Sequence, residues 1–298
     1  MFLEHFGLQQ DPFGVTADAR YLYFSSEHKE ALSALYLSIL EERGLCALIA
    51  HAGMGKTTLM RYLAARLHNR GTIAFLSHPY RSRRDLMRDL LQRVGLAAED
   101  TEFHQMTRLT QHLAELKRKG GRLILLFDEA QALSPEALEQ VRLLSNLRSS
   151  NLAPMDIVIA GQNELDELLE QPIMEAFRQR ISVVARIQPF DVDEVNRYLR
   201  RRLAVAGREE PLFSKKAAES VTQLAGGIPR NINPLCYKAM ALAWADGEET
   251  VSRRVVEEAG RDLEWARQRS AEAPAPAQAD TLSAVSSDAK RPYSTEIQ

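Results

Sequence analysis

Cysteine, tryptophan and net charge are all scarce in this chain, and each shortage excludes something. Only two cysteines, Cys46 and Cys236, stand in 298 residues. They form neither a metal-ligand spacing nor a disulfide framework, so they read as small buried hydrophobes of a chain kept reduced. A formal net charge of −2 excludes an overall pull toward nucleic acid or anionic membrane, leaving such contacts to local patches. No apolar run reaches the roughly eighteen residues that span a bilayer. The opening MFLEHFGLQQDPF lacks the basic-then-apolar layout of a signal peptide. The expectation is a cytoplasmic protein that reaches the inner membrane, if at all, peripherally through partners. What is present is ordinary: 45% hydrophobic and 26% charged residues, enough for a large core.

Residues 1–26 are rich in Phe, Tyr, Pro and Gly and read as an irregular arm, with Ser25 or Ser26 capping the helix behind it. Leu32, Leu35, Tyr36, Ile39 and Leu40 recur at helical spacing over 27–43, and Gly44 ends that helix. LCALIA (45–50) is a short buried strand. The pattern then alternates: helix 56–69, strand 72–77, helices 82–94 and 104–118, strand 122–130, helix 135–149 behind Ser134-Pro135, then strands 155–161 and 181–187. Continuous Leu/Ile/Val runs alternating with helices imply an α/β fold whose parallel sheet is covered on both faces. After Pro189 the strand signal ends, and helices are expected over 191–206, 214–225, 230–245 and 251–268. The expected organisation is an arm (1–26), an α/β domain (27–189), a small all-helical domain (190–268) and an Ala/Pro/Ser-rich disordered tail (269–298).

Between the first strand and its helix lies Ala50-His51-Ala52-Gly53-Met54-Gly55-Lys56-Thr57-Thr58. This is the Walker A pattern of Gly, four residues, then Gly-Lys-Ser/Thr, with Ala50 in place of the first glycine. Gly53 and Gly55 let the N–H groups of Ala52 through Thr58 close on phosphate oxygens, helped by the helix N-terminus. Lys56 places a charge on β/γ-phosphates and the Thr57 hydroxyl can ligate Mg²⁺. If Ala50 needs a left-handed backbone, it costs about 1–2 kcal/mol. Downstream, LILLFDE (123–129) is an apolar strand ending in two acids. Asp128 would orient Mg²⁺ and Glu129 would polarise the attacking water. ATP with Mg²⁺ is the implied ligand. The aromatic arm residues Phe13, Tyr21 and Tyr23 are expected near the adenine.

The phosphate loop, LLFDEAQAL, IAGQNEL, FRQRI and GGIPRNIN, with the opening FGLQQDPFGVTADARYLYFSSEHKEAL, together resemble an AAA+ ATPase. More narrowly they resemble the branch that serves the general (type II) secretion pathway, over residues 1 to 268. The resemblance implies a P-loop NTPase domain with a helical lid, and ATP-dependent homo-oligomers. It implies that Gln162 is sensor 1, with Asn163 as the other candidate, and that Arg230 is sensor 2 on the lid. It also implies that Arg178 or Arg180, the latter favoured, is an arginine finger acting on a neighbouring subunit. Relatives often continue into a transmembrane helix and a peptidoglycan-binding domain. Neither occurs in these 298 residues, and an envelope anchor is not expected.

Two basic clusters stand out. Arg81, Arg83, Arg84 and Arg88 follow the second strand, interleaved with Asp85 and Asp89, and read either as a solvated helix face or as contacts to duplex DNA. Arg197, Arg200, Arg201 and Arg202 open the helical domain and read as long side chains covering apolar surface. The expected function is ATP hydrolysis that powers or regulates protein components of a bacterial secretion, export or pilus-assembly machine. The alternatives are a DNA-binding transposition-type regulator and a nucleotide-dependent scaffold with little turnover.

Overall fold

A computed structural model describes residues 2–14, 19–97, 101–147 and 151–272. The arm is less irregular than its composition predicts. It opens with helix α1 (Phe2–His5) and later makes a 3-10 turn at Ala19–Tyr21. A single turn is unstable alone; here the Phe2 ring is held edge-on by Phe6, Tyr237 and Trp244 at 5.9 Å each. Ser25 is the cap of α2 (Ser26–Leu40), its hydroxyl accepting the His28 N–H at 3.3 Å.

The chain continues as β1 (Leu45–Ala50), α3 (Lys56–Leu67), β2 (Thr72–Leu76), α4 (Arg83–Arg93), α5 (Glu102–Arg118), β3 (Leu123–Phe127), α6 (Pro135–Ser145), β4 (Met155–Gly161), α7 (Asn163–Glu170), α8 (Glu175–Arg178) and β5 (Ile181–Ile187). Side-chain N-caps explain the starts of α4, α5 and α6. Ser82, Thr101 and Ser134 each accept the backbone N–H three residues on, at 3.1, 3.2 and 3.1 Å.

These strands make a five-stranded parallel sheet in the order β2-β3-β4-β1-β5. Every residue of β1, β3 and β4 is buried, as the continuous apolar runs predicted. β5 differs. It lies at the sheet edge, and its burial alternates, with Ser182, Val184 and Arg186 exposed. One face packs against α2, and Arg186 on the other pairs with Asp166 at 2.8 Å. The strands all finish at one edge of the sheet, and adjacent β1 and β4 send their connections to opposite sides. That is the crevice where open parallel sheets receive ligands.

Beyond β5 the structure is helical: α9 (Val192–Val205), α10 (Lys215–Ala225), α11 (Pro229–Ala245) and α12 (Arg253–Glu272). Gly227 closes this segment against the sheet domain. Its φ is +68°, and a Cβ there would lie 2.2 Å from the Phe190 carbonyl oxygen. Phe190 also donates its N–H to the Gly227 carbonyl at 2.9 Å. Met1–Gly260 is one compact unit, and a second begins at Arg261. α12 runs through Glu272, past the expected end at 268; the rest of the predicted tail lies outside the described residues. Among these, no helix is long and apolar enough to cross a membrane.

Candidate nucleotide site

β1 ends at Ala50 and α3 begins at Lys56, so the loop between them leaves the sheet at its carboxyl edge. Ala50 is ordinary extended strand, registered against Ile187. Among the described non-glycine residues only Glu42 and Glu129 have positive φ, so the backbone cost considered for Ala50 does not arise. The left-handed positions belong to Gly53 (φ +83°) and Gly55 (φ +90°). A Cβ on Gly53 would sit 2.5 Å from Cβ of Arg230 and 3.0 Å from the Ile228 side chain. Glycine therefore also admits the helical segment onto the loop. The N–H groups of Gly53 and Gly55 donate to no described residue. Lys56 is 4% exposed, and its ammonium donates to the carbonyls of Ala50 (2.9 Å) and His51 (3.2 Å). Burial holds it below the ordinary lysine range, against the opposing pull of Glu129 and Asp128.

The two acids stand just beyond β3, not within it as the expected strand 122–130 had them. The strand ends at Phe127, and Asp128 donates its N–H to the Leu76 carbonyl at 2.8 Å. The Asp128 carboxylate, 4% exposed, accepts the Thr57 hydroxyl at 2.6 Å and the Glu129 N–H at 3.0 Å. Glu129 takes a left-handed backbone, φ 52°, a strained geometry of the sort that clusters at functional sites. Its carboxylate accepts the side-chain amides of Gln131 (2.6 Å) and Gln162 (3.0 Å). Gln131 completes the ring by accepting the Gln162 backbone N–H at 3.1 Å. Burial would raise the Glu129 carboxyl, but the two amides, Lys56 and Arg230 outweigh it and hold it below the ordinary glutamate range.

Gly53, Gly55, Lys56, Thr57, Thr58, Glu129 and Arg230 line one cavity of about 410 Å³. Arg230 thus faces the loop from α11. Ala52 is exposed on the loop and Met54 is buried beneath it. Gln162 touches Glu129, whereas Asn163 turns to the His51 ring at 3.1 Å, so the structure separates the two sensor candidates by contact. Beside this cavity is another of about 160 Å³, bounded by the arm, the loop and the helical segment, with Tyr21 and Tyr23 in its wall. Phe13 does not line it. Phe13 packs on the Phe213 ring at 5.8 Å and beneath the Arg202 guanidinium.

Arg178 and Arg180 are exposed and pair with no described residue. They precede β5, whose Ile181 registers with Leu45 at the start of β1. The six-residue length of β1, roughly 20 Å at about 3.3 Å per residue, separates them from their own phosphate loop. Arg81 and Arg84 are exposed at the start of α4, Arg88 is exposed at its middle and Arg83 is half-buried. Arg202 is buried instead, beneath the Tyr21 ring at 4.7 Å and donating to the Pro12 carbonyl.

Free glycine N–H groups, a buried lysine and two hard oxygens 2.6 Å apart on Thr57 and Asp128 fit a phosphate chain carrying Mg²⁺. The sequence motifs pointed to most of this ring but not to Gln131, although a lone amide in the small-residue run after two acids was the available signal.

The chain resembles known proteins over most of its length. The AAA domain family matches residues 39–169. General secretion pathway protein A of Aeromonas hydrophila is 36% identical over 253 residues, 84% of this chain. The chain spans 46% of that relative's length. Among solved structures, Cdc6p from Pyrobaculum aerophilum superposes with a TM-score of 0.64 at 16% identity, over 86% of this chain and 72% of its own. The ORC2 protein of Aeropyrum pernix, solved with ADPNP and ADP, gives 0.60 at 15% identity, over 90% and 76%. The RuvB Holliday junction branch migration motor of Thermotoga maritima gives 0.53 at 17% identity, over 85% and 74%. At these identities the structures speak to the fold alone. The chain carries an AAA domain over residues 39–169 on a P-loop NTPase fold, and over most of its own length it resembles general secretion pathway protein A.

Proposed function

We propose that the chain binds and hydrolyses ATP as a homo-oligomer and uses that cycle to power or regulate a bacterial secretion, export or pilus-assembly machine. The observation that carries this reading is the single cavity shared by Lys56, Thr57, Glu129 and Arg230, with Asp128 bonded to Thr57 at its floor. The N–H groups of Gly53 and Gly55 bind phosphate oxygens, and Lys56 leaves its loop carbonyls to meet the β/γ-phosphates. Thr57 and Asp128 would hold Mg²⁺, whose charge would offset that of the phosphates. Glu129 accepts a proton from the attacking water while Gln162 fixes the orientation of its carboxylate. Arg230 brings a positive charge from the helical lid, residues 190–268, toward the γ-phosphate. The cavity walled by Tyr21 and Tyr23 receives the base. Arg178 and Arg180 serve a neighbouring subunit, Arg180 being favoured, because their own site is out of reach. The secretion context rests on the 36% identity to general secretion pathway protein A.

Steady-state ATP turnover tests the reading. Lys56→Ala should abolish nucleotide binding, and Glu129→Gln should bind ATP without turnover and assemble into larger particles at micromolar concentration when ATP is added. ATP affinity that survives Lys56→Ala would remove the phosphate-loop assignment. An unchanged particle size for Glu129→Gln with ATP would remove the trans-acting arginines.

One observation favours a second reading. Arg81, Arg83, Arg84 and Arg88 form no ion pair with a described carboxylate, and the first three crowd the positive end of α4, where a helix disfavours cations. Duplex DNA phosphates would suit that patch. Turnover stimulated by duplex DNA at low salt, and lost when Arg83 and Arg84 become alanine, would select it.

A further inference from the structure

Met54 lies between the two left-handed glycines of the phosphate loop, and its carbonyl accepts a hydrogen bond from outside the loop. The donor is Nε2 of His28, at 2.8 Å. His28 is 3% exposed and belongs to the first turn of α2. Its other ring nitrogen, Nδ1, lies 2.7 Å from the Ser25 hydroxyl. That hydroxyl also accepts the His28 backbone N–H. A carbonyl only accepts, so Nε2 carries the proton toward Met54. Burial disfavours the imidazolium, so Nδ1 keeps its lone pair and accepts from Ser25. Every polar atom of the pair is satisfied in one tautomer.

A trans peptide is planar, with its C=O and N–H pointing in opposite directions. Tying the Met54 carbonyl to His28 therefore turns the Gly55 N–H away from α2. Gly55 lines the cavity with Lys56 and Thr57, and its N–H donates to no described residue. One hinge of this peptide is Gly55, at φ +90°, a residue that takes either sign of φ without a Cβ penalty, so an unanchored peptide would sample both orientations.

We infer that His28 is a positioning residue for nucleotide: its neutral Nε2–H tautomer anchors the Met54 carbonyl and so presents the Gly55 N–H to phosphate. The inference rests on the phosphate-loop reading and adds to it a side chain that lies outside the loop. Glu194 on α9 bonds to both Tyr23 and Ser26, so the anchor is itself braced from the helical segment.

The test is the affinity of the full chain for a fluorescent ATP analogue, with thermal unfolding of the ligand-free protein run in parallel. His28→Leu should weaken binding roughly ten-fold, the worth of one well-placed hydrogen bond. His28→Asn, too short to reach Met54, should do the same. His28→Gln, which can still donate there, should recover most of the affinity. In wild type, ¹⁵N spectra of the ring should show the Nε2–H tautomer at neutral pH. If His28→Leu does not fold, the Asn and Gln pair carries the comparison. A folded Asn or Leu variant that binds within two-fold of wild type overturns the inference, as does an Nδ1–H tautomer. Lys56→Ala separates the two failures: if it loses nucleotide while the His28 variants keep it, only the anchor is wrong. If it keeps nucleotide, the loop assignment and the anchor fall together.

Discussion

Buried acids stand at both ends of the sheet, and their partners differ in kind. At the starting edge, Asp156 in β4 is 1% exposed. It accepts the Gly44 N–H at 3.2 Å and lies 3.7 Å from the Arg122 guanidinium. Arg122 continues to the Ile39 carbonyl and to Glu42 at 2.8 Å. Charge there meets opposite charge. At the finishing edge Asp128 and Glu129 are held by neutral donors, the Thr57 hydroxyl and the amides of Gln131 and Gln162. The nearby cations bond only to carbonyls, in the case of Lys56, or to no described residue, in the case of Arg230. Desolvating a charge is costly unless an opposite charge or several hydrogen bonds offset it. An edge that keeps its anions and cations apart, each on neutral partners, is arranged for a ligand carrying charge of both kinds, such as a metal-bound polyphosphate. An edge that pairs them is arranged for stability.

The largest effect that could break this contrast is in stability. Asp156→Ala removes the acceptor of Gly44 and the buried one of the two carboxylates beside a guanidinium whose side chain is 14% exposed. It should cost about 2–4 kcal/mol, seen as a lower urea midpoint with an unchanged slope. Nucleotide affinity should stay within two-fold of wild type. A matching loss of affinity would mean that the two edges are not independent.

Gln131 probes the other edge, with a smaller expected effect. It ties Glu129 to the Gln162 backbone without lining the phosphate cavity. Gln131→Ala should lower kcat about ten-fold, or about 1.4 kcal/mol in the barrier, with KM little changed and the urea midpoint within experimental scatter. A rise in KM at constant kcat would place Gln131 in ground-state binding and blur the contrast between the two edges.

Sequence periodicity located β1, β4 and β5 to the residue, because strand runs bounded by Gly, Pro or acids carry their own ends. It also gave the phosphate loop and the acidic pair, since phosphate chemistry dictates residue type at fixed spacing. It failed where tertiary contact overrides local signal. α1 exists because Phe2 finds Tyr237 and Trp244, more than 230 residues away. The exposed alternation of β5 follows from its place at the sheet edge, which pairing order decides. The alanine at position 50 drew attention as a defect, yet the left-handed geometry sits three and five residues later, at Gly53 and Gly55. His28 and Gln131 escaped because each acts through a backbone or side-chain partner far away or on another loop, and no spacing announces such a bond.

Glu194 is the intermediate case and gives the mildest test. It is a buried acid close to the nucleotide loop, yet it is paired in the manner of the starting edge, accepting from Tyr23, Ser26 and Arg197, the last at 2.8 Å. Burial alone would raise its carboxyl, but these donors prevail and hold it below the usual 4.5. Burial and the same carboxylate push the Tyr23 phenol up to about 12, so Tyr23 remains a donor throughout the neutral range. A carboxyl whose folded pKa is depressed contributes stability in full above its unfolded pKa and loses it as pH falls through the folded value. Glu194→Gln should therefore cost about 1 kcal/mol at pH 7, and urea midpoints of variant and wild type should converge as pH drops below about 4.5. If the gap persists undiminished into acid, Glu194 acts by shape and not by charge. It would then belong with neither edge, and paired charge would lose its standing as the mark that separates a structural acid from a ligand-binding one.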